Sequence, residues 1–170
     1  MDLTAGLVAP YAPDELFAWV ADLDRYPRWL DIVARAVPAE AHPDDEGPAW
    51  SVDLRGRLGR LARSKRLRMV RTVHEAPHEV RYERREHDGR QHADWVLRAS
   101  VVAAGDGTGD GKGAGSELTV RLHYGGALIG PVIERLLADE VERSRPRLLA
   151  LLAEAAAGNG DVSGDVSGRA

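Results

Sequence analysis

A chain of 170 residues, 44% hydrophobic and 29% charged, has enough apolar material for one domain with a real core and the polar surface of an ordinary globule. A formal net charge of −4 argues against a polyanion-binding molecule, so nucleic acid is not an expected partner. The absence of cysteine excludes disulfides and thiolate chemistry. No apolar run reaches the roughly 18 residues of a membrane span, and the N-terminus lacks a basic, apolar signal, which points to the cytoplasm.

Met1 to Ala9 alternates weakly, with Leu3, Ala5 and Leu7 on one side, and reads as an edge-like strand. Ala12-Pro13-Asp14-Glu15 opens a helix, with proline at its first position and acids in its first turn. Asp22-Leu23-Asp24 ends it. Tyr26-Pro27-Arg28-Trp29-Leu30 predicts a second short helix, with Trp29, Leu30 and Val33 turned inward. Strands follow, the first alternating Trp50, Val52, Leu54, Gly56 and Leu58 against Ser51, Asp53, Arg55 and Arg57. Lys65 to Glu75 places Leu67, Met69, Arg71 and Val73 on one face; Glu79 to His87 places Val80, Tyr82, Arg84 and Glu86 there. Trp95, Leu97, Ala99 and Val101 line the next strand, and Leu118, Val120, Leu122 and Tyr124 the last. Short turn-rich breaks between these runs predict an antiparallel meander.

From Leu128 to Ala157 apolar residues recur at three- and four-residue steps, among them Ile133, Leu137, Val141, Leu148 and Leu152, opposite Glu134, Arg135, Glu142 and Arg147. This is a long amphipathic helix, with Pro146 expected to kink it. Such a helix needs a partner as long as itself, and the rest of the chain is mostly strand. The expected fold is therefore α+β, a curved antiparallel sheet of six to seven strands around a long C-terminal helix, with two short helices after the first strand. The domain is expected over residues 1–157. Residues 158–170, with Asp-Val-Ser-Gly repeated at Asp161 and Asp165, read as a disordered tail.

This order resembles the helix-grip fold of the START-like (SRPBCC), birch-pollen-allergen-like superfamily, and within it the polyketide cyclase/dehydrase and lipid-transport family. The residues that carry the likeness are Ala12-Pro13-Asp14-Glu15-Leu16-Phe17-Ala18-Trp19-Val20-Ala21-Asp22-Leu23, then Tyr26-Pro27-Arg28-Trp29, and finally Leu122-His123-Tyr124-Gly125-Gly126 leading to Pro131. The resemblance implies a deep cavity between the concave face of the sheet and the long helix. It brings no catalytic triad or metal site with it.

The inward positions then become candidate ligand contacts: Trp50, Leu54, Met69, Arg71, Tyr82, Arg84, Glu86, Trp95, Leu97, Tyr124 and Ile133. An arginine on an apolar face is costly unless paired. Arg71 or Arg84 either anchors a carboxylate, phosphate or phenolate, or belongs to an internal Arg–Glu pair or a bulge. Eight basic residues and no acid lie between Arg55 and Arg71, so the hairpin Arg55–Arg68 forms either a basic rim able to touch an anionic membrane surface or a solvated face balanced by Asp53, Glu83 and Asp94.

Asp106 to Glu117 has part of an EF-hand spacing, but Thr108 and Gly113 break it and its flanks are strands, so it reads as a Gly-rich loop. The six histidines show no zinc spacing, although His87 and His92 flank one turn and could meet. Neither metal nor cofactor is expected.

Three functions remain. The first is binding or transport of a hydrophobic small molecule such as a lipid, polyketide or isoprenoid. The second is a polyketide aromatase/cyclase or dehydratase in which Arg71, Tyr82 or Glu86 helps move protons. The third is a protein-interaction domain with a filled interior. Oligomeric state is not legible.

Overall fold

The computed structural model describes residues 1–58, 61–105, 115–126 and 131–160. It contains β1 (Asp2–Ala9), α1 (Pro13–Phe17), a 3-10 helix (Leu23–Arg28), β2 (Val33–Pro38), β3 (Ala49–Leu58), β4 (Leu61–Glu75), β5 (Glu79–Arg84), β6 (Trp95–Ala103), β7 (Ser116–Tyr124) and α2 (Pro131–Gly160). The seven strands form one antiparallel sheet in the order β1-β7-β6-β5-β4-β3-β2. Every connection from β2 to β7 is a hairpin. Only β1 is displaced, crossing to the far edge to pair with β7. That crossing carries α1 and the 3-10 helix over the concave face. The expected α+β helix-grip architecture is what the chain adopts.

Local chemistry explains the first turn. Pro13 opens α1 where its missing N–H is not needed, and the Glu15 carboxylate accepts the Ala12 N–H at 2.9 Å. Leu16, Phe17, Trp19, Val20, Leu23, Tyr26 and Trp29 are all buried, so this segment is a lid of core residues. From the other end, α2 contributes Leu137, Leu148 and Leu152 to the interior, with Leu149 and Leu151 packed beside them. Each leucine so buried is worth about 1.5–3 kcal/mol.

Four expectations need correction. Val33 lies in a strand, β2, rather than on the inward side of the second short helix. The β2 bulge between Val33 and Arg35 and the terminal Pro38 obscure the alternation, as suits an edge strand. The second short helix is of the 3-10 type and begins at Leu23, before the expected start. Val73 does not share the face of Leu67, Met69 and Arg71. A register shift between Arg71 and Val73 sets Val73 opposite Arg81, and His74 takes the inward place, 5.6 Å from the Phe17 ring. Finally, the helix expected over Leu128 to Ala157 is α2, Pro131–Gly160, and it continues through the exposed Pro146.

The connection from β2 to β3 approaches the sheet closely. A Cβ on Gly47 would stand 2.5 Å from the Arg71 carbonyl oxygen, beside the Arg71 N–H to Pro48 carbonyl bond of 2.9 Å. Backbone cannot yield as a flexible side chain can. Gly47→Ala is expected to destabilise the protein by about 1–3 kcal/mol, read as a lower urea midpoint.

Candidate functional site

The inward face divides into two parts. Beneath α1 and the 3-10 helix lie Trp50, Met69 and Tyr82, the last fully inaccessible. The Tyr26 and Tyr82 hydroxyls both donate to the Val20 carbonyl, at 3.2 and 3.0 Å. Trp50 meets Tyr82 edge to face at 5.7 Å. Burial pushes both phenols above their usual range, so neither ionises near neutral pH. Arg71 donates to the Ala21 carbonyl at 3.0 Å and to Asp22 Oδ1 at 3.1 Å, with its guanidinium 5.7 Å from the Trp50 ring. These side chains bind the lid segment to the sheet.

The second part lies toward the far ends of β3, β4, β6 and β7. Leu54, Trp95 and Leu97 are only half-buried there. Trp95 and Tyr124 pack edge to face at 5.1 Å. Gly126 lies close against Tyr124, since a Cβ there would fall 2.2 Å from the Tyr124 hydroxyl. Arg84 and Glu86 form the internal pair, with Arg84 Nε donating to Glu86 Oε1 at 2.7 Å. The same carboxylate oxygen accepts the Arg68 N–H at 3.2 Å. Arg84 also reaches His92 Nδ1 at 3.1 Å, and His92 Nε2 lies 2.9 Å from Asp88. That contact holds the Asp88 carboxyl below its ordinary value. The side chain of Ile133 lies outside the described residues.

Lys65, absent from the expected contacts, belongs to this second part. Its Nζ stands 5.5 Å from the Trp95 ring and 5.0 Å from the Tyr124 ring. In the sequence it is hidden inside the basic run, and only its phase with Leu67 and Met69 could have marked it as inward.

On the outer face, Arg66 Nε donates to Asp53 at 2.7 Å. Arg68 makes a two-point pair with Asp45, at 2.9 and 2.7 Å, with the two side chains 15% and 4% exposed. These contacts give Arg66 and Arg68 carboxylate partners, one of which, Asp45, had not been foreseen. Arg57, Arg60 and Arg63 lie outside the described side chains, as does most of the EF-hand-like stretch. His87 does not meet His92; it stacks on His42 with ring centres 3.6 Å apart.

A separate cavity of about 30 Å³, between Leu7, Trp29, Leu118, Val141 and Leu148, has room for little more than a water molecule. Among the described residues no three His, Asp or Glu are grouped to hold a metal, and no helix is long and apolar enough to cross a membrane.

A bent antiparallel sheet, a capping lid and a long C-terminal helix define a helix-grip protein. The chain belongs to the polyketide cyclase / dehydrase and lipid transport family, whose sequence profile matches residues 4–157. A START superfamily protein from Mycobacterium smegmatis superposes with a TM-score of 0.65 at 14% identity, covering 91% of this chain and 98% of that one. A protein from Chromobacterium violaceum gives 0.60 at 14%, covering 89% and 96%. The di-domain ARO/CYC StfQ from the steffimycin biosynthetic pathway gives 0.57 at 18%, covering 92% of this chain and 51% of its own. At such identities the likeness shows the fold alone. A search of the curated proteins finds no match.

Proposed function

We propose that this protein binds a hydrophobic small molecule, of the lipid, polyketide or isoprenoid kind, against the open part of its concave face. The supporting observation is the contrast between the two parts. Under the lid, Tyr26 and Tyr82 are sealed and hydrogen-bonded and Trp29 and Trp50 are buried, whereas Leu54, Trp95 and Leu97 remain half-exposed on the same face. Apolar surface on a concave wall is the usual lining of a small-molecule site. The ligand contacts in this reading are Leu54, Arg84, Glu86, Trp95, Leu97 and Tyr124, with Trp50, Met69, Arg71 and Tyr82 supporting the lid.

The neutral fluorophore N-phenyl-1-naphthylamine tests it. Uptake with a blue-shifted emission is expected, and Leu97→Trp, which fills the space, should weaken uptake about tenfold at unchanged stability. Native mass spectrometry of protein from its own host should then show a retained apolar molecule. No uptake would instead favour a filled, partner-binding domain.

A second reading, an aromatase/cyclase, draws on the chain Glu86–Arg84–His92–Asp88 beside the opening and on the family. There Glu86→Gln should abolish turnover of an offered polyketide; in a carrier it should change affinity only.

A further inference from the structure

We propose that the ligand of this hollow carries one anionic oxygen group, a carboxylate in the simplest case, and that the Lys65 ammonium receives it. The inference rests on the hydrophobic-ligand reading above and adds the head group to it.

Lys65 lies opposite Leu54 of β3, in the part of β4 that runs past the end of β5. β5 stops at Arg84, which pairs with Met69, so no β5 strand stands beside Lys65. The lysine side chain reaches instead to Trp95 on β6 and Tyr124 on β7, at 5.5 and 5.0 Å. Two ring faces stabilise an ammonium charge. They offer its three N–H donors no oxygen lone pair.

Two carboxylates of the Glu86–Asp88 stretch already have partners, and Asp94, beside Gly125, forms no ion pair with Lys65. Glu86 is held by Arg84 and by the Arg68 N–H, and Asp88 by His92. Among the described residues Lys65 forms no ion pair and donates no side-chain hydrogen bond. Arg84, another described cation of the inward face, is neutralised by Glu86. Among the described residues, the Lys65 ammonium is therefore a positive charge without a carboxylate partner, set between two aromatic walls at the rim of apolar Leu54 and Leu97. An apolar body lying on those leucines with its acid at the rim satisfies both the surface and the charge. A neutral alcohol of the same length satisfies the surface alone.

The test is displacement of N-phenyl-1-naphthylamine by dodecanoate and by dodecanol at pH 8. The wild-type protein should favour the acid by about tenfold, the usual margin of a charge-assisted over a neutral hydrogen bond. Lys65→Met keeps the apolar stem and should bring the ratio to about one, while Lys65→Arg should retain part of the preference. Lys65→Gln serves if the methionine variant does not fold, with unfolding temperature as the control for both. Equal displacement by acid and alcohol in the wild type, or a preference that survives in Lys65→Met, overturns the head-group assignment and leaves the hollow standing. Failure of the neutral fluorophore to enter overturns the hydrophobic-ligand reading and this inference with it.

Discussion

Tyr82→Ala should lower the stability of the protein by about 3–5 kcal/mol, which in a domain of this size moves the unfolding midpoint down by roughly 10 °C. Tyr82 has no accessible surface, packs edge-on against Trp50 and Tyr26, and donates to Val20 under the lid. Tyr82→Phe should cost only about 1 kcal/mol, because the Tyr26 hydroxyl still serves the same carbonyl. Removing both hydroxyls should cost more than the sum of the single changes, since the buried Val20 carbonyl then loses both side-chain donors. Thermal unfolding of the three variants measures this. The outcome also decides a functional question. If Tyr82→Phe left stability intact and altered uptake of the fluorophore, the lid half of the inward face would be pocket rather than core.

Asp45→Ala is the second large effect expected, a loss of about 3 kcal/mol or more, because it leaves the mostly buried Arg68 guanidinium without its carboxylate. Arg68 also donates to the Glu40 carbonyl at 2.7 Å, and Asp45 accepts the His42 N–H at 2.7 Å, so the pair closes the β2–β3 connection onto the sheet. The two-point hydrogen bond from Arg68 holds the Asp45 carboxyl well below its ordinary value of 3.8. A carboxylate with a lowered folded-state value binds fewer protons folded than unfolded. Its stabilisation is complete above the ordinary value and fades as pH falls through it toward the lowered one. The stability gap between wild type and Asp45→Asn should accordingly stay level from pH 8 to about 5 and narrow below about 4. Urea unfolding across that range reads it, and a gap that widened in acid would show that the pair is not what holds the loop.

The candidate site was partly legible. Trp95, Leu97 and Tyr124 follow from strict alternation in β6 and β7, two strands with an unbroken register. Arg71 and Tyr82 also follow from alternation, but their partners do not. Nothing local tells that the Val20 and Ala21 carbonyls and Asp22 arrive from some fifty to sixty residues earlier. The Arg84–Glu86 pair was legible as an alternative because it lies within one short stretch. Lys65 was concealed by the charged residues around it, and β2 by a bulge that breaks the period.

By itself the sequence determined the fold class, since hydrophobic period, turn residues and helix-start signals are local properties read out along the chain. The family followed from the same local order. Which inward residues became core and which remained open was decided only in three dimensions. That depended on where α1 and the 3-10 helix settle across the sheet and on where β5 stops, and both are long-range packing outcomes. A side chain's phase within a strand sets the face it points to; what covers that face comes from elsewhere in the chain.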